Sequence, residues 1–421
     1  MNRARIQPSS LHGTAAPPPS KSAAHRAIIC AGLAKGSSVL SPIGTSVDMA
    51  ATIGCMEALG AAAAQTEDTL QIQGISALPA APVTLDCAES GSTLRFLIPL
   101  AAALGVTAEF VGRGRLPQRP LGIYLDLLPQ HGVACKTAGG LPLTVSGQLQ
   151  PGDFCLPGDI SSQFITGLLF ALPLLSGDST ITLTTPLQSA AYVDMTCSAL
   201  QKFGVQVTRT ETGWLVPGKQ TYKAGNQQIE RDWSQAAFLL TAGALDGEVS
   251  LFGLDQNSAQ GDRAIEDLLR CFGADLSWQD GVLTARPGEL HGIDIDVEQI
   301  PDLAPILAVV GAFAQGHTRL LNGARLRLKE SDRLTALRRM VCALGGRAEE
   351  KADSLTIYGS ALTGGTADGC NDHRIVMAAA IAALRAKHPV VVTDAEAVRK
   401  SWPEFFDVYK DLGGKADVIL G

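Results

Sequence analysis

The sequence predicts an α/β protein of two similar lobes, each built from three repeating α/β units. Three observations predict it. A glycine that ends a helix returns at an almost fixed interval, and a helix that is apolar on every side returns at the same interval. The 421-residue chain is also long enough to bury two separate cores.

The first repeat is an amphipathic helix ending in glycine, then two short strands joined by a polar turn. Examples are DMAATIGCMEALG-AAAAQTEDTLQIQG, YVDMTCSALQKFG-VQVTRTETGWLVPG and RAIEDLLRCFG-ADLSWQDGVLTARPG. The stop glycines Gly60, Gly132, Gly204, Gly273, Gly345 and Gly413 fall 72, 72, 69, 72 and 68 residues apart. Glycine is the usual residue for the left-handed turn just past a helix, so the signal persists where side chains differ.

The second repeat interleaves with the first. Each copy has a polar start, an almost wholly apolar helix and a strand, as in SKSAAHRAIICAGLAKGSSVL, SSQFITGLLFALPLLSGDSTITL and NDHRIVMAAAIAALRAKHPVVV. Its anchors Ser22, Ser92, Ser162, Ser234, Asp302 and Asp372 lie 70, 70, 72, 68 and 70 residues apart. A helix apolar all round must be buried all round, so each unit should carry one exposed and one interior helix. Pro17-Pro18-Pro19 stiffens one crossing between lobes, and a second crossing is expected near Gly225–Asp232. The lobes are then 21–230 and 231–421, with residues 1–20 joining the second.

Composition narrows the function. With 46% hydrophobic residues the chain is not disordered. Its 34 basic and 41 acidic side chains leave a net charge of −7, which argues against nucleic-acid or membrane partners. Nine cysteines without a CxxC pair predict a reduced cytoplasmic chain with no zinc site. A monomeric or weakly associating protein is expected.

Interior helix starts are where chemistry is expected. A helix N-terminus carries about half a positive charge and free N–H groups, and a cap residue ordinarily satisfies them. Capping alone would explain Ser22, Ser92, Ser162, Ser234, Asp302 and Asp372, and for Ser234 nothing more is needed. The other starts carry more: Lys21 and Arg26 around Ser22, Gly91 before Ser92, Ser161-Ser162-Gln163, Asp302 itself, and His373-Arg374. Helix tips converging on one cleft suit phosphate or carboxylate ligands. Neither GxGxxG nor GxxxxGK[ST] occurs, so a dinucleotide fits poorly. Other cations gather in GRGRLPQRP, ARLRLKESDRL and VRKSWPEFF. Of these, Arg113, Arg115, Arg327 and Arg399 read as solvated loop residues, whereas Lys329, Glu330 and Arg333 sit where the chain enters a helix.

Eight short motifs in order, PSKSAAHRA, ESGSTLRFL, LPQRPLG, SSQF, IPDLAP, KESDRL, NDHR and KSWPEFF, span the chain. Through them the sequence resembles the enolpyruvyl transferase family, and within it the 5-enolpyruvylshikimate-3-phosphate synthases. The resemblance implies two lobes of three βαβαββ units with buried parallel helices, the family's inverse α/β barrel or prism. It implies transfer of the enolpyruvyl (carboxyvinyl) group of phosphoenolpyruvate to shikimate 3-phosphate by addition and elimination through a tetrahedral intermediate, with no cofactor and no metal.

The resemblance also assigns roles. Lys21, Ser22, Arg26, Ser161, Ser162, Gln163, Ser189, Tyr192, Asp302 and Lys329 would hold shikimate 3-phosphate. Lys21, Gly91, Arg119, Gln163, Arg333, Arg374 and Lys400 would hold phosphoenolpyruvate. Asp302 would take the 5-hydroxyl proton, and Glu330 and Lys21 would handle the proton at the methylene carbon. Three positions depart from the familiar pattern: Glu89 and Arg325 stand where other members have Asn, and Phe96 replaces a proline. The nearest rival is the sister transferase acting on UDP-N-acetylglucosamine. It generally carries a cysteine in the loop matching Gly112–Arg119, where this chain has none, and an asparagine where this chain has Ser22. A scaffold of decayed repeats would have lost its acid/base pair, yet Asp302 and Glu330 are both present.

Overall fold

The computed structural model of the protein describes residues 2–419. Its contacts divide the chain into two compact units, Pro19–Ile229 and Met1–Pro18 with Glu230–Gly421. The first contains helices α1 (Lys21–Leu33), α2 (Val47–Ala58), α3 (Gly91–Ala103), α4 (Gly122–Leu127), α5 (Ser162–Ala171) and α6 (Ala190–Lys202). The second contains α7 (Trp233–Asp246), α8 (Ile265–Phe272), α9 (Ala304–Phe313), α10 (Arg333–Ala343), α11 (His373–Ala383) and α12 (Phe405–Asp411). Among the described residues, six four-stranded sheets accompany them, three in each unit. Among the described residues no helix is long and apolar enough to cross a membrane.

One sheet shows the repeat. Val83–Asp86 runs parallel to Ala108–Val111 across the interior helix α3, with Val83 opposite Ala108. Ala108–Val111 then pairs antiparallel with Leu143–Gly147, which pairs antiparallel with Val133–Thr137. Every sheet follows this order, but three borrow strands from elsewhere. Gln227–Gln228, at the end of its unit, supplies the parallel strand beside Ser37–Ser41. In the other unit Leu11–Ala15 lies parallel to Gly247–Phe252, and Arg3–Gln7 fills the sheet between Val390–Thr393 and Lys415–Ile419. Among the described residues the sixth repeat therefore has one strand after Gly413, Lys415–Ile419, and Arg3–Gln7 provides the other.

The odd-numbered helices are interior. All of α11 is buried, as are Ala304–Ala312 of α9 and Trp233–Leu245 of α7, and these three pack on one another. All six stop glycines take the left-handed conformation, with φ between +77° at Gly204 and +110° at Gly273. In the first unit α3 and α5 approach closely at Gly167, where any Cβ would run into the Arg95 carbonyl and the Tyr124 hydroxyl.

The capping expectation needs correction. The caps are Ser20, Ser90, Ser161, Asp232 and Asp372, accepting from the amides of Ala23, Thr93, Gln163, Gln235 and Arg374. Of the six anchors only Asp372 caps its helix. Ser22, Ser92 and Ser234 lie inside the first turn, Ser162 is the first residue of α5, and α9 begins after Leu303 with no side-chain cap and Pro305 in its first turn. A cap must stand where the second or third helical N–H can reach it, and one or two residues upstream another hydroxyl or carboxylate already does. This leaves the Ser22 and Ser92 hydroxyls unspent on capping.

Candidate active site

The residues singled out from sequence form two clusters, one in each unit. In Pro19–Ile229, Lys21 opens α1 and its Nζ donates to Asp48 Oδ2 at 2.7 Å, with both side chains largely buried. Asp48 Oδ1 is buried without a hydrogen-bond partner among the described residues. Arg26, one turn further along α1, donates to the carbonyls of Ser22 and Tyr192 and to Thr196 Oγ1 at 2.6, 2.7 and 2.9 Å. It therefore braces α1 against α6. Burial pulls its guanidinium down to about 10.

The start of α3 faces a cation. A Cβ at Gly91 would lie 2.5 Å from Arg119 Nη1 and 2.7 Å from Cζ, so only glycine leaves this guanidinium its place. A cation against a positive helix end is electrostatically unfavourable alone and becomes favourable around an anion. Beside it, Gln163 accepts from Arg95 Nη1 at 2.6 Å and donates to Ser92 Oγ at 3.0 Å, which ties α3 to α5. Ser161 caps α5 and Ser162 is buried next to it. Ser189 stands before α6 in a left-handed conformation, φ +56°, with its buried Oγ unpartnered among the described residues. Such strain on a non-glycine residue collects at functional positions.

Two departing residues find local reasons. Phe96 packs edge-on against Phe170 at 5.6 Å and carries the Arg26 guanidinium over its ring at 5.4 Å. The Glu89 carboxylate lies against Gly114, in the loop that leads to Arg119.

The second cluster interleaves three acids with three bases. Asp302 Oδ1 accepts from Arg333 Nη1 at 2.8 Å and Lys329 Nζ at 3.3 Å, and Oδ2 accepts from Arg374 Nη2 at 3.2 Å. Arg333, almost wholly buried, also donates to Glu330 Oε2 at 2.8 Å and through Nε to Asp372 Oδ2 at 2.9 Å. Burial alone would raise the Asp302 carboxyl. Arg374, Lys329 and Arg333 outweigh that and hold it well below the usual carboxylate range. Burial likewise lowers the Lys329 ammonium, against the pull of Asp302. Lys400 donates to the Asn371 carbonyl at 2.6 Å, in a stretch where Cys370 and Asn371 are both left-handed.

Four participants were missed in the sequence reading. Asp48 looks like any acid in a first helical turn, and Asp372 like a cap, though it also holds Arg333 and Ser331. Asp262, ahead of α8, is buried near Asp302, and burial followed by the Asp302 charge pushes its carboxyl up to about 6. Arg327 is a correction. It is no solvated loop residue, because its guanidinium holds Asp332, Glu350 and Thr335 and the carbonyls of Lys351 and Ala352. It thereby pins the segment carrying Lys329 and Glu330 to the hairpin behind it.

The EPSP synthase (3-phosphoshikimate 1-carboxyvinyltransferase) family model matches residues 6–409. The 3-phosphoshikimate 1-carboxyvinyltransferase of Clostridium kluyveri is 44% identical over 420 residues, spanning 99% of both chains. That of Clostridioides difficile is 42% identical over 431 residues, again spanning 99% of each. An EPSP synthase structure from Acinetobacter baumannii matches with a TM-score of 0.84 at 25% identity, covering 100% of both chains. The enolpyruvyl transferase NikO from Streptomyces tendae shares the fold, with a TM-score of 0.82 at 18% identity over 100% of this chain and 99% of its own. Similarity that runs from end to end, at this level of identity, leaves one assignment: the chain belongs to the EPSP synthase family.

Proposed function

We propose that the chain transfers the carboxyvinyl group of phosphoenolpyruvate to the 5-hydroxyl of shikimate 3-phosphate and releases phosphate, the step of the shikimate pathway that leads to chorismate and the aromatic amino acids. The observation that carries this reading is its full-length kinship with 3-phosphoshikimate 1-carboxyvinyltransferases. Arg26, Ser161, Ser162, Gln163, Ser189, Tyr192 and Lys329 hold the acceptor with Lys21 and Ser22. Lys21, Gly91, Arg119, Gln163, Arg333, Arg374 and Lys400 hold phosphoenolpyruvate. Guanidinium groups suit it because they meet carboxylate and phosphate oxygens two at a time. In keeping with the sequence expectation, we take the working form to be a cytoplasmic monomer without cofactor or metal.

The chemistry follows from the charges. Asp302 removes the hydroxyl proton as the new C–O bond forms at C2 of phosphoenolpyruvate, while the Lys21 ammonium delivers a proton to the methylene carbon. Elimination reverses the proton traffic: the C–O bond to phosphate breaks, the departing phosphate takes up the proton held by Asp302, and Glu330, a carboxylate bonded to Arg333, takes a proton from the new methyl group. Exchange with water then restores the Glu330 carboxylate and the Lys21 ammonium. With its three cations in place Asp302 is a weak base. Substrate anions compete for Lys329, Arg333 and Arg374, and each cation drawn away returns basicity to Asp302. The base is thus released by the ligand that needs it.

Phosphate release with shikimate 3-phosphate or UDP-N-acetylglucosamine as acceptor tests the reading; turnover with only the latter would overturn it. Gly91→Ala should raise the KM for phosphoenolpyruvate about tenfold or more by displacing Arg119, since one charged hydrogen bond is worth about 1.5–3 kcal/mol. An unchanged KM would move that pocket elsewhere.

Asp262 supplies a pH dependence. Above about pH 6 it is ionised, and its charge beside Asp302 makes Asp302 a better base; below about pH 6 it is neutral and that help is lost. The wild-type to Asp262→Asn ratio of kcat/KM should therefore fall toward one as pH drops from 7 to 5. Substrate phosphates also titrate near pH 6, but equally for both proteins, so the ratio isolates Asp262. A ratio independent of pH would remove Asp262 from the mechanism.

A further inference from the structure

A chain of polar side chains runs through the otherwise apolar interior between α1, α2 and α3. His25 Nδ1 lies 2.7 Å from Thr52 Oγ1, Thr52 Oγ1 lies 2.6 Å from Thr93 Oγ1, and Thr93 Oγ1 donates to Ser90 Oγ at 2.7 Å. The four residues are buried, and His25 Nε2 has no hydrogen-bond partner among the described residues. Apolar residues of similar size would fill this space without desolvating four polar groups, so packing alone does not explain the chain.

Its placement does. Each member lies close along the chain to a residue of the first cluster: His25 one helical turn after Lys21 on α1, Thr52 one turn after Asp48 on α2, Thr93 two residues after Gly91 on α3, and the cap Ser90 immediately before Gly91. We propose that His25, through Thr52, Thr93 and Ser90, is a positioning residue that fixes the starts of α2 and α3, and so Asp48 and Gly91, against Lys21. Burial, reinforced by Lys21 and Arg26, pushes the His25 imidazole well below its ordinary value, so it serves as a neutral hydrogen-bonding group.

The inference rests on the functional reading for its kinetic consequence. A second buried set, Arg26, Thr196 and Thr166, separately ties α1 to α5 and α6. Breaking the His25 chain therefore leaves Lys21 with the residues assigned to the acceptor and loosens only the side assigned to phosphoenolpyruvate. Thr52→Val removes the middle hydroxyl at constant shape, and His25→Phe removes both ring nitrogens.

Each variant should raise the KM for phosphoenolpyruvate about tenfold, the scale of one buried hydrogen bond, and leave the KM for shikimate 3-phosphate within about twofold. The double variant should be no worse than either single one, because both break one chain. Thr52→Ser keeps the hydroxyl, and His25→Asn keeps a polar partner for Thr52; both should stay near wild type. If His25→Phe or Thr52→Val does not fold, Thr93→Val breaks the next link with the same expectation. Amide hydrogen exchange in the first turn of α3 reads the chain without turnover and should quicken in Thr52→Val but not in Thr52→Ser. Equal changes in both KM values, additive effects, or unaltered exchange would overturn the positioning role. Absence of turnover in the unaltered protein would instead overturn the functional reading, while the exchange result still stood.

Discussion

Asp302→Asn should leave its unit folded and lower kcat by about 10²–10⁴-fold, the range that general acid–base help supplies. The replacement keeps the volume and one oxygen acceptor for Arg333 or Lys329 but cannot take a proton. Substrate binding, measured by calorimetry, should fall far less than turnover, because the asparagine leaves Lys329, Arg333 and Arg374 with one less internal anion to hold them. The stability effect has a definite sign. Asp302 has a depressed folded-state value, so its ionised form contributes stability above the unfolded carboxylate range, and that contribution fades as pH falls through the folded value. The melting-temperature gap between wild type and variant should thus be present at pH 7 and close under strong acid. Turnover equal to wild type would show that another group takes the hydroxyl proton.

The parts of this protein legible in its sequence are those fixed by the backbone. A left-handed residue after a helix tolerates little but glycine, so Gly60, Gly132, Gly204, Gly273, Gly345 and Gly413 record six helix ends whatever surrounds them. Helices without a polar face leave only an interior location. What stayed hidden depends on residues far apart in the chain. Asp48 is 27 positions from Lys21, and nothing in VDMAAT separates an acid that favours its own helix dipole from one that holds a lysine. Arg327 looks exposed because arginines outside regular helices and strands usually are, yet one of its carboxylate partners, Glu350, is 23 residues away at the end of the strand Arg347–Glu350. The capping error has the same origin: the anchors mark the period correctly, but local contacts decide which hydroxyl reaches the free amides.

The charge cluster of the second unit makes Arg333 the residue whose loss should be felt most in stability. Its guanidinium meets Asp302, Glu330 and Asp372 at once, from a buried position. Arg333→Met keeps length and apolar bulk while leaving buried Asp372 without its main cation, and removing one partner of a buried pair costs about 3–5 kcal/mol. For a unit of this size that is a fall of about 6–20 °C in Tm. The pH dependence separates charge from packing. In the wild type, burial would raise the Asp372 carboxyl, but Arg333 outweighs burial and lowers it, so its ionised form stabilises the fold above the unfolded carboxylate range. Without Arg333, burial raises it, and ionisation at neutral pH then works against folding. The deficit of the variant should therefore be largest near pH 7 and shrink toward pH 4, where Asp372 is protonated in the variant. Arg333→Lys restores one positive charge but cannot reach three carboxylates together, so it should recover part of the Tm and little of the phosphoenolpyruvate affinity. A deficit of equal size at both pH values would mean that Arg333 stabilises the unit through packing alone.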